Sequence, residues 1–232
     1  MKYFIDTEFI EGFHKPLFGK KRHHIDLISI AIHCPETGND FTAISSEYNY
    51  NDADEWVQKN VLLPLYKDTV HGDMRNRCSV ENFHKIYGSS NKNIKEQLLQ
   101  YFDCWADSFY WRVPMSNEIE MYGYYADYDW VLFCSLFGRM IDLPKGFPMY
   151  CKDLKQMFDE KANSFTSAQL SKIEYPTVTH NVLEYLGNKG TLDKPEHLKK
   201  HKDYPKQENE HNALADAKWN KRLYDYINSL NK

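Results

Sequence analysis

The apolar positions fall into short, dense runs at the start of the chain and into wider, helix-like spacings later. Residues 2–9 (KYFIDTEF), 25–32 (IDLISIAI) and 40–45 (DFTAIS) are runs of β-formers, with the turn-like PETGN between the second and third. They predict three strands in an antiparallel meander. A helix is predicted over about 52–61, with Asn51 or Asp52 placed to cap it. Residues 64–91 contain Gly72, Gly88 and a Ser-Ser pair and read as a loop or an insertion. Over 93–109, Ile94, Leu98, Phe102, Trp105 and Phe109 recur every three or four residues, which predicts a helix. Residues 119–125 (IEMYGYY) read as a buried strand. Residues 127–140 read as a helix with Val131, Phe133, Cys134, Phe137 and Met140 inward. Further helices are predicted at 153–161 and 178–187, and a last one over 212–230 with Asn212 as its N-cap. The order of strands, helix, strand and helices predicts a mixed α/β layer fold without internal repeats.

Composition narrows the class. The chain has 232 residues, 42% of them hydrophobic and 15% aromatic, enough for a substantial core in one domain. Its net charge of −4 disfavours a protein that binds nucleic acid by bulk charge alone. No stretch approaches the ~20 apolar residues of a membrane span, and the opening MKYFIDTEF lacks the apolar segment of a signal peptide. Five scattered cysteines without a CxxC give neither a disulfide framework nor a zinc site, so a reduced, cytoplasmic protein without a membrane partner is expected.

Three groups of carboxylates need an explanation. Asp6 and Glu8 stand two apart in an apolar strand, so both point to one face with Cα atoms about 6.5 Å apart. Like charges on a buried strand repel and are costly to desolvate, and a divalent cation between them removes the conflict. A solvated edge strand is the plain alternative. In EHNALADA (210–217), His211 and Asp216 are five apart and cannot share a helix face, but they converge if His211 precedes a helix capped by Asn212. A surface histidine before an amphipathic helix fits the same residues. Asp127 and Asp129, in YGYYADYDWVLF (122–133), sit at a strand-to-helix junction, where either could act as an ordinary helix cap.

Taken in order, D-x-E on the first strand, an Asp after a later strand and H-x4-D opening the last helix resemble the DEDDh family of 3′–5′ exonucleases, the group around RNase T and oligoribonuclease. MKYFIDTEFIEG, IDLISIAI, FTAISSEYN, NVLLPL, YDWVLFCSLFGRM, YCKDLKQMFDEK and HNALADA are similar to the RNase AS type of exoribonuclease, over roughly two-thirds of the chain. The resemblance implies an RNase H-like α/β fold with a mixed five-stranded sheet, in a single domain over 1–232 with insertions at about 64–117 and 162–209. It also implies a homodimer and two divalent metal ions, Mg²⁺ or Mn²⁺. The implied substrate is single-stranded RNA, with adenylate-containing RNA preferred, and the products are 5′-mononucleotides.

Carried over position by position, Asp6, Glu8, Asp129 and Asp216 are the implied metal ligands and His211 the implied general base, with Asp127 the alternative if the second motif is shifted by two. Two ions about 4 Å apart would share Asp6, with Glu8 and Asp216 completing one site and Asp129 serving the other. Many DEDDh enzymes carry an Asn four residues before the second-motif Asp; here that place is Tyr125, taken as a substrate contact. Phe9 stands where family members stack on terminal bases, although strict alternation turns it away from Glu8. The segment 13–24 holds Lys15, Lys20, Lys21 and Arg22 without an acid and is expected to meet substrate phosphates. Residues 189–206 hold six Lys against three acids, an exposed basic loop that could also track RNA. A DNA exonuclease of the same fold and a noncatalytic nucleic-acid-binding module remain the competing readings.

Overall fold

The structure, a computed structural model, describes residues 1–14, 19–70, 78–107, 110–112, 119–166, 170 and 194–230. Five strands form a mixed sheet in the order β3-β2-β1-β6-β7: β1 Lys2–His14, β2 Arg22–Cys34, β3 Asn39–Ile44, β6 Glu120–Gly123 and β7 Lys152–Asp153. The first three are antiparallel, whereas β6 runs parallel to β1 and β7 parallel to β6. This is the α/β architecture with a mixed five-stranded sheet expected from the sequence, consistent with an RNase H-like fold. A separate ribbon pairs β4 Trp105–Asp107 with β5 Tyr110–Arg112. Among the described residues the α-helices are α1 Glu55–Val57, α2 Leu63–Val70, α3 Phe83–Tyr87, α4 Asn91–Tyr101, α5 Asp127–Phe137, α6 Leu154–Asn163, α7 Lys194–Leu198 and α8 Ala213–Ser229.

Alternation along β1 splits the core between the two faces of the sheet. Tyr3 and Ile5 pack with Leu98, Phe102 and Phe133 on the α4–α5 side. Phe4 packs with Tyr122, Leu154, Phe158 and Leu223 on the α6–α8 side. Each such side chain contributes about 1.5–3 kcal/mol when fully buried. Ile10 and Ile28 form a third cluster with Val61 and Leu62 beneath the α1–α2 run. The β1–β2 register slips between Glu8 and Phe9, where Ile28 is the extra residue on β2.

Several element boundaries depart from those the sequence predicts. The helix expected over 52–61 begins at Glu55, because Asp54, and not Asn51 or Asp52, accepts the Val57 N–H at 2.8 Å. It continues through a π-helical turn at Gln58–Leu62 into α2, inside the stretch read as a loop. The helix expected over 93–109 ends at Tyr101, and Asp103 takes a left-handed φ of 50° before β4. The helix expected to reach residue 140 ends at Phe137, where Gly138 adopts φ 117°. Val131 and Met140, expected inward, are 54% and 44% exposed, whereas Phe133, Cys134 and Phe137 are buried as expected, together with Trp130, Leu132 and Leu136. Of the segment 13–24, residues 13–14 and 22–24 belong to the antiparallel strands β1 and β2. Lys15 and the helix expected at 178–187 lie outside the described residues. Among the described residues no helix is long and apolar enough to cross a membrane.

Candidate active site

The ladder between β1 and β6 covers only Lys2–Phe4 and Glu120–Tyr122. Beyond it the chain leaves Gly123, turns and enters α5. The turn is tight: a Cβ at Gly123 would stand 2.9 Å from the Ala126 Cβ and 3.3 Å from the Ile5 carbonyl oxygen. The free edge of β1 is therefore met by side chains. Asn220 Nδ2 donates to the Ile5 carbonyl at 2.9 Å, and the Asp129 carboxylate accepts from Thr7 N at 2.8 Å and Thr7 Oγ1 at 2.5 Å. These bonds replace ladder partners that buried backbone groups would otherwise lack.

On the α8 side of the same edge, Asp6, Glu8 and Asp216 each bring a carboxylate oxygen within 4.8 Å of the others. Asp216 sits in the first turn of α8, where the helix N-terminus favours negative charge. Asn212 caps the helix as expected, its side chain accepting the Ala215 N–H at 3.2 Å. Asp216 is held from both sides, by Gln207 Nε2 at 2.6 Å and by the backbone N–H of His211 at 2.8 Å. That second bond needs His211 in the left-handed region, at φ 67°. A non-glycine residue there stores of order 1 kcal/mol or more of strain, and such residues cluster at functional sites. The His211 ring stands edge-on to Trp56 of α1, with centroids 4.8 Å apart.

Asp6, Glu8, Phe9, Tyr125, Asp129, His211 and Asp216 all line one open cleft of about 280 Å³. Phe9 lies on the α5 side, as alternation requires, and packs edge-on against Tyr128 at 5.3 Å. It reaches the cleft because the opening runs across the free edge of β1. Tyr125 is 63% exposed at the rim and takes φ 55°, a second strained position. Asp127 is exposed on the outer side of α5, whereas Asp129 is buried, so the geometry selects Asp129 of the two. Neither caps α5, whose N-terminus is bound instead by Asp153 through the Ala126 N–H at 2.8 Å.

Lys20, Lys21 and Arg22 are not brought to this cleft. Arg22 pairs with His14, six residues beyond Glu8 along β1, which is about 20 Å of extended strand. They lie at the start of β2, where the Lys21 ammonium lies 4.0 Å from the centre of the Phe13 ring.

The electrostatics are those of crowded carboxylates. Asp6 is pushed well above the usual carboxylate range, first by burial and then by the charges of Asp129, Glu8 and Asp216. Glu8 is pushed up to about 8 by burial, with Asp216 and Asp129 adding to it. Burial also raises Asp129, against the pull of its two Thr7 hydrogen bonds, and raises Asp216 against the bonds from Gln207 and His211. A cluster of oxygen donors that resists ionising together suits hard divalent cations.

A family model for the 3′–5′ exoribonuclease Rv2179c-like domain matches residues 1–228. The chain belongs to this family. It is similar to 3′–5′ exoribonuclease Rv2179c of Mycobacterium tuberculosis (strain ATCC 25618 / H37Rv) and to 3′–5′ exoribonuclease MT2234.1 of strain CDC 1551 / Oshkosh. Each is 27% identical over 161 residues, which span 69% of this chain and 76% of the relative.

Within this Rv2179c-like domain, sequence reasoning missed several cleft residues. Asn220 carried a signal: it lies four residues after Asp216, on the same helix face. Thr7 carried a weaker one, since it stands between the two strand carboxylates and its backbone N–H points along the sheet. Gln207, Tyr128 and Trp219 had none. They come from separate segments, and only the folded chain brings them to one place.

Proposed function

We propose that this chain is a 3′–5′ exoribonuclease of the DEDDh type, closest in kind to the RNase AS exoribonucleases, which removes 5′-mononucleotides from the 3′ end of single-stranded RNA. The convergence of Asp6, Glu8 and Asp216 on one point, across the open edge of β1 from Asp129, carries the reading. Asp6, Glu8, Asp216 and Asp129 would hold two divalent cations, Mg²⁺ or Mn²⁺. The all-oxygen donor set and the raised carboxylates fit that role. When bound, such ions neutralise charge on the scissile phosphate and lower the pKa of the attacking water.

The chain's own groups then do the rest. The His211 imidazole, at the rim beside Asp216, accepts the proton of the attacking water. Its backbone N–H and Gln207 fix the Asp216 carboxylate, and Thr7 fixes Asp129. The exposed rings of Tyr125 and Tyr128, with Phe9, offer faces and edges to the terminal bases. Adenylate-rich RNA is the proposed preference, and a homodimer the proposed assembly; both rest on the resemblance to RNase AS.

The test is digestion of 5′-labelled single-stranded oligonucleotides, poly(A) beside other RNAs and matched DNA, with Mn²⁺ and with EDTA. A ladder shortening from the 3′ end on RNA, lost with EDTA and in Asp6→Ala and His211→Ala, is expected. Equal cutting of DNA turns the assignment to a DNA exonuclease. Binding without any metal-dependent cutting overturns the catalytic reading. Light scattering of the purified chain checks the dimer.

A further inference from the structure

Next to the cleft lies a second depression of about 490 Å³, within the size range of small-ligand sites. It shares Tyr124, Gln207 and Trp219 with the cleft, so the two are one continuous surface. Its remaining lining includes Lys199, Tyr204 and Lys206. The two compartments differ sharply in charge. The cleft is lined by Asp6, Glu8, Asp129 and Asp216, with neither Lys nor Arg among its described lining residues. The neighbouring depression is lined by two lysines and no acid among the described residues.

A nucleic-acid strand whose 3′ end enters an acidic cleft needs cations for its other phosphates. Lys20, Lys21 and Arg22, at the start of β2 opposite His14, lie about 20 Å along β1 from Glu8. The lysines beside Tyr204 border the cleft itself. The segment that carries them is firmly placed. Trp219 Nε1 donates to the Pro205 carbonyl at 3.0 Å, and Tyr204 packs against Phe158 and Tyr226 with ring centroids 5.8 and 5.4 Å apart. Lys206 is exposed. Lys199 pairs with Glu196 at 2.7 Å on the surface, an ion pair that a phosphate can displace because exposed pairs are weak.

We propose that this groove holds the nucleotides upstream of the one being removed, with Lys199 and Lys206 facing their phosphates and the Tyr204 ring facing a base. The proposal rests on the exoribonuclease reading above and extends it to the substrate's path. It gives Lys199 and Lys206, two lysines of that basic stretch, a function distinct from a solvated face.

The experiment compares the wild-type chain with Lys199→Glu/Lys206→Glu, both surface changes. The first readout is the ratio of kcat/KM for a ten-nucleotide RNA to that for a dinucleotide. The second is the anisotropy of a labelled ten-nucleotide RNA in EDTA, where binding is read without cleavage. In the variant the ratio should fall about ten-fold or more, as expected when two phosphates exchange a cation for a like charge. The salt dependence of RNA binding should flatten by about 0.7 in log–log slope for each phosphate no longer neutralised. Tyr204→Leu keeps an apolar side chain and should weaken binding of the long RNA about ten-fold, in line with the removal of one base stack. A ratio and an affinity equal to wild type, an equal fall on both substrates, or a wild-type chain that holds no RNA would overturn the groove. Weakened RNA binding in the variant of a chain that cleaves nothing would instead support the groove and overturn the exoribonuclease reading.

Discussion

The two halves of β1 share a strand, a sheet and a sequence run, yet have opposite energetics. From Lys2 to Phe4 the strand pairs with β6, with β2 joining on the other side at Phe4, and Tyr3 and Phe4 are core. From Ile5 onward β6 has departed, and only β2 remains as a backbone partner. There the open edge is held by Asn220 and Asp129, and the exposed space is filled with carboxylates. The first half stabilises the fold. The second gives up stability to hold a site, as sites at the ends of parallel strands commonly do. The chemistry sits where the sheet stops pairing.

Four experiments break or sharpen this contrast. Asp6→Ala is expected to lower the rate of RNA cleavage by more than about 10³-fold, comparable to or greater than the loss of a single transition-state donor. The metal-free variant should nonetheless melt higher than wild type at pH 8, since one of several crowded charges is gone. Loss of activity together with a lower melting temperature would mean that Asp6 is structural. Two residues earlier, Phe4→Ala should do the reverse, costing about 3–5 kcal/mol in denaturant unfolding because Phe4 is wholly buried. Its effect on kcat/KM at a temperature where it is folded should be far smaller than that of Asp6→Ala.

At the boundary between the halves, Asn220→Leu leaves the Ile5 carbonyl without its partner and should cost about 1–3 kcal/mol. A reduced kcat is expected too, because Asn220 lines the cleft four residues from Asp216. An unchanged unfolding curve would show that the open edge of β1 needs no such partner.

The smallest effect is a pH dependence. Glu8 rises from its ordinary 4.5 to about 8 in the fold, so the folded state favours its protonated form. Its stabilising contribution is complete below about pH 4.5 and is lost as pH rises through about 8. The metal-free chain should therefore lose a few degrees of melting temperature across that window. Mn²⁺ should restore more at pH 8 than at pH 6, where protons compete for the same oxygens. A melting temperature that is flat over this range, or a larger Mn²⁺ shift at pH 6, would contradict the crowded-carboxylate picture.

Much of this was legible in the residues. The β1, β2 and β3 runs, the strand at Glu120–Gly123, α6 and the Asn212-capped α8 follow from local patterns that tertiary contacts reinforce. The D-x-E pair and the H-x4-D spacing marked residues that the fold places along one cleft. Boundaries failed where a local signal was ambiguous. The helix expected to run on to 109 stops at Tyr101, because apolar residues every three or four positions do not show where a chain turns from helix to strand. The strands β1 and β2 extend further than their apolar runs predict, because Glu11, Gly12, His14, Arg22, His23 and His24 break the apolar pattern while still pairing across the ladder.

By itself the sequence determined which residues carry charge and in what order. It also set the alternation that turns Asp6 and Glu8 to one face and the cap that places His211 just ahead of α8. Those features are local: a strand has a period of two, and a cap acts within one turn. Only the tertiary structure decided where β6 leaves β1, which opens the edge that Asp129 and Asn220 occupy. The same packing put Lys199, Tyr204 and Lys206 beside the cleft and carried Lys20, Lys21 and Arg22 away from it. These are distances between segments far apart in sequence, and they depend on which surfaces pack together when the apolar core closes.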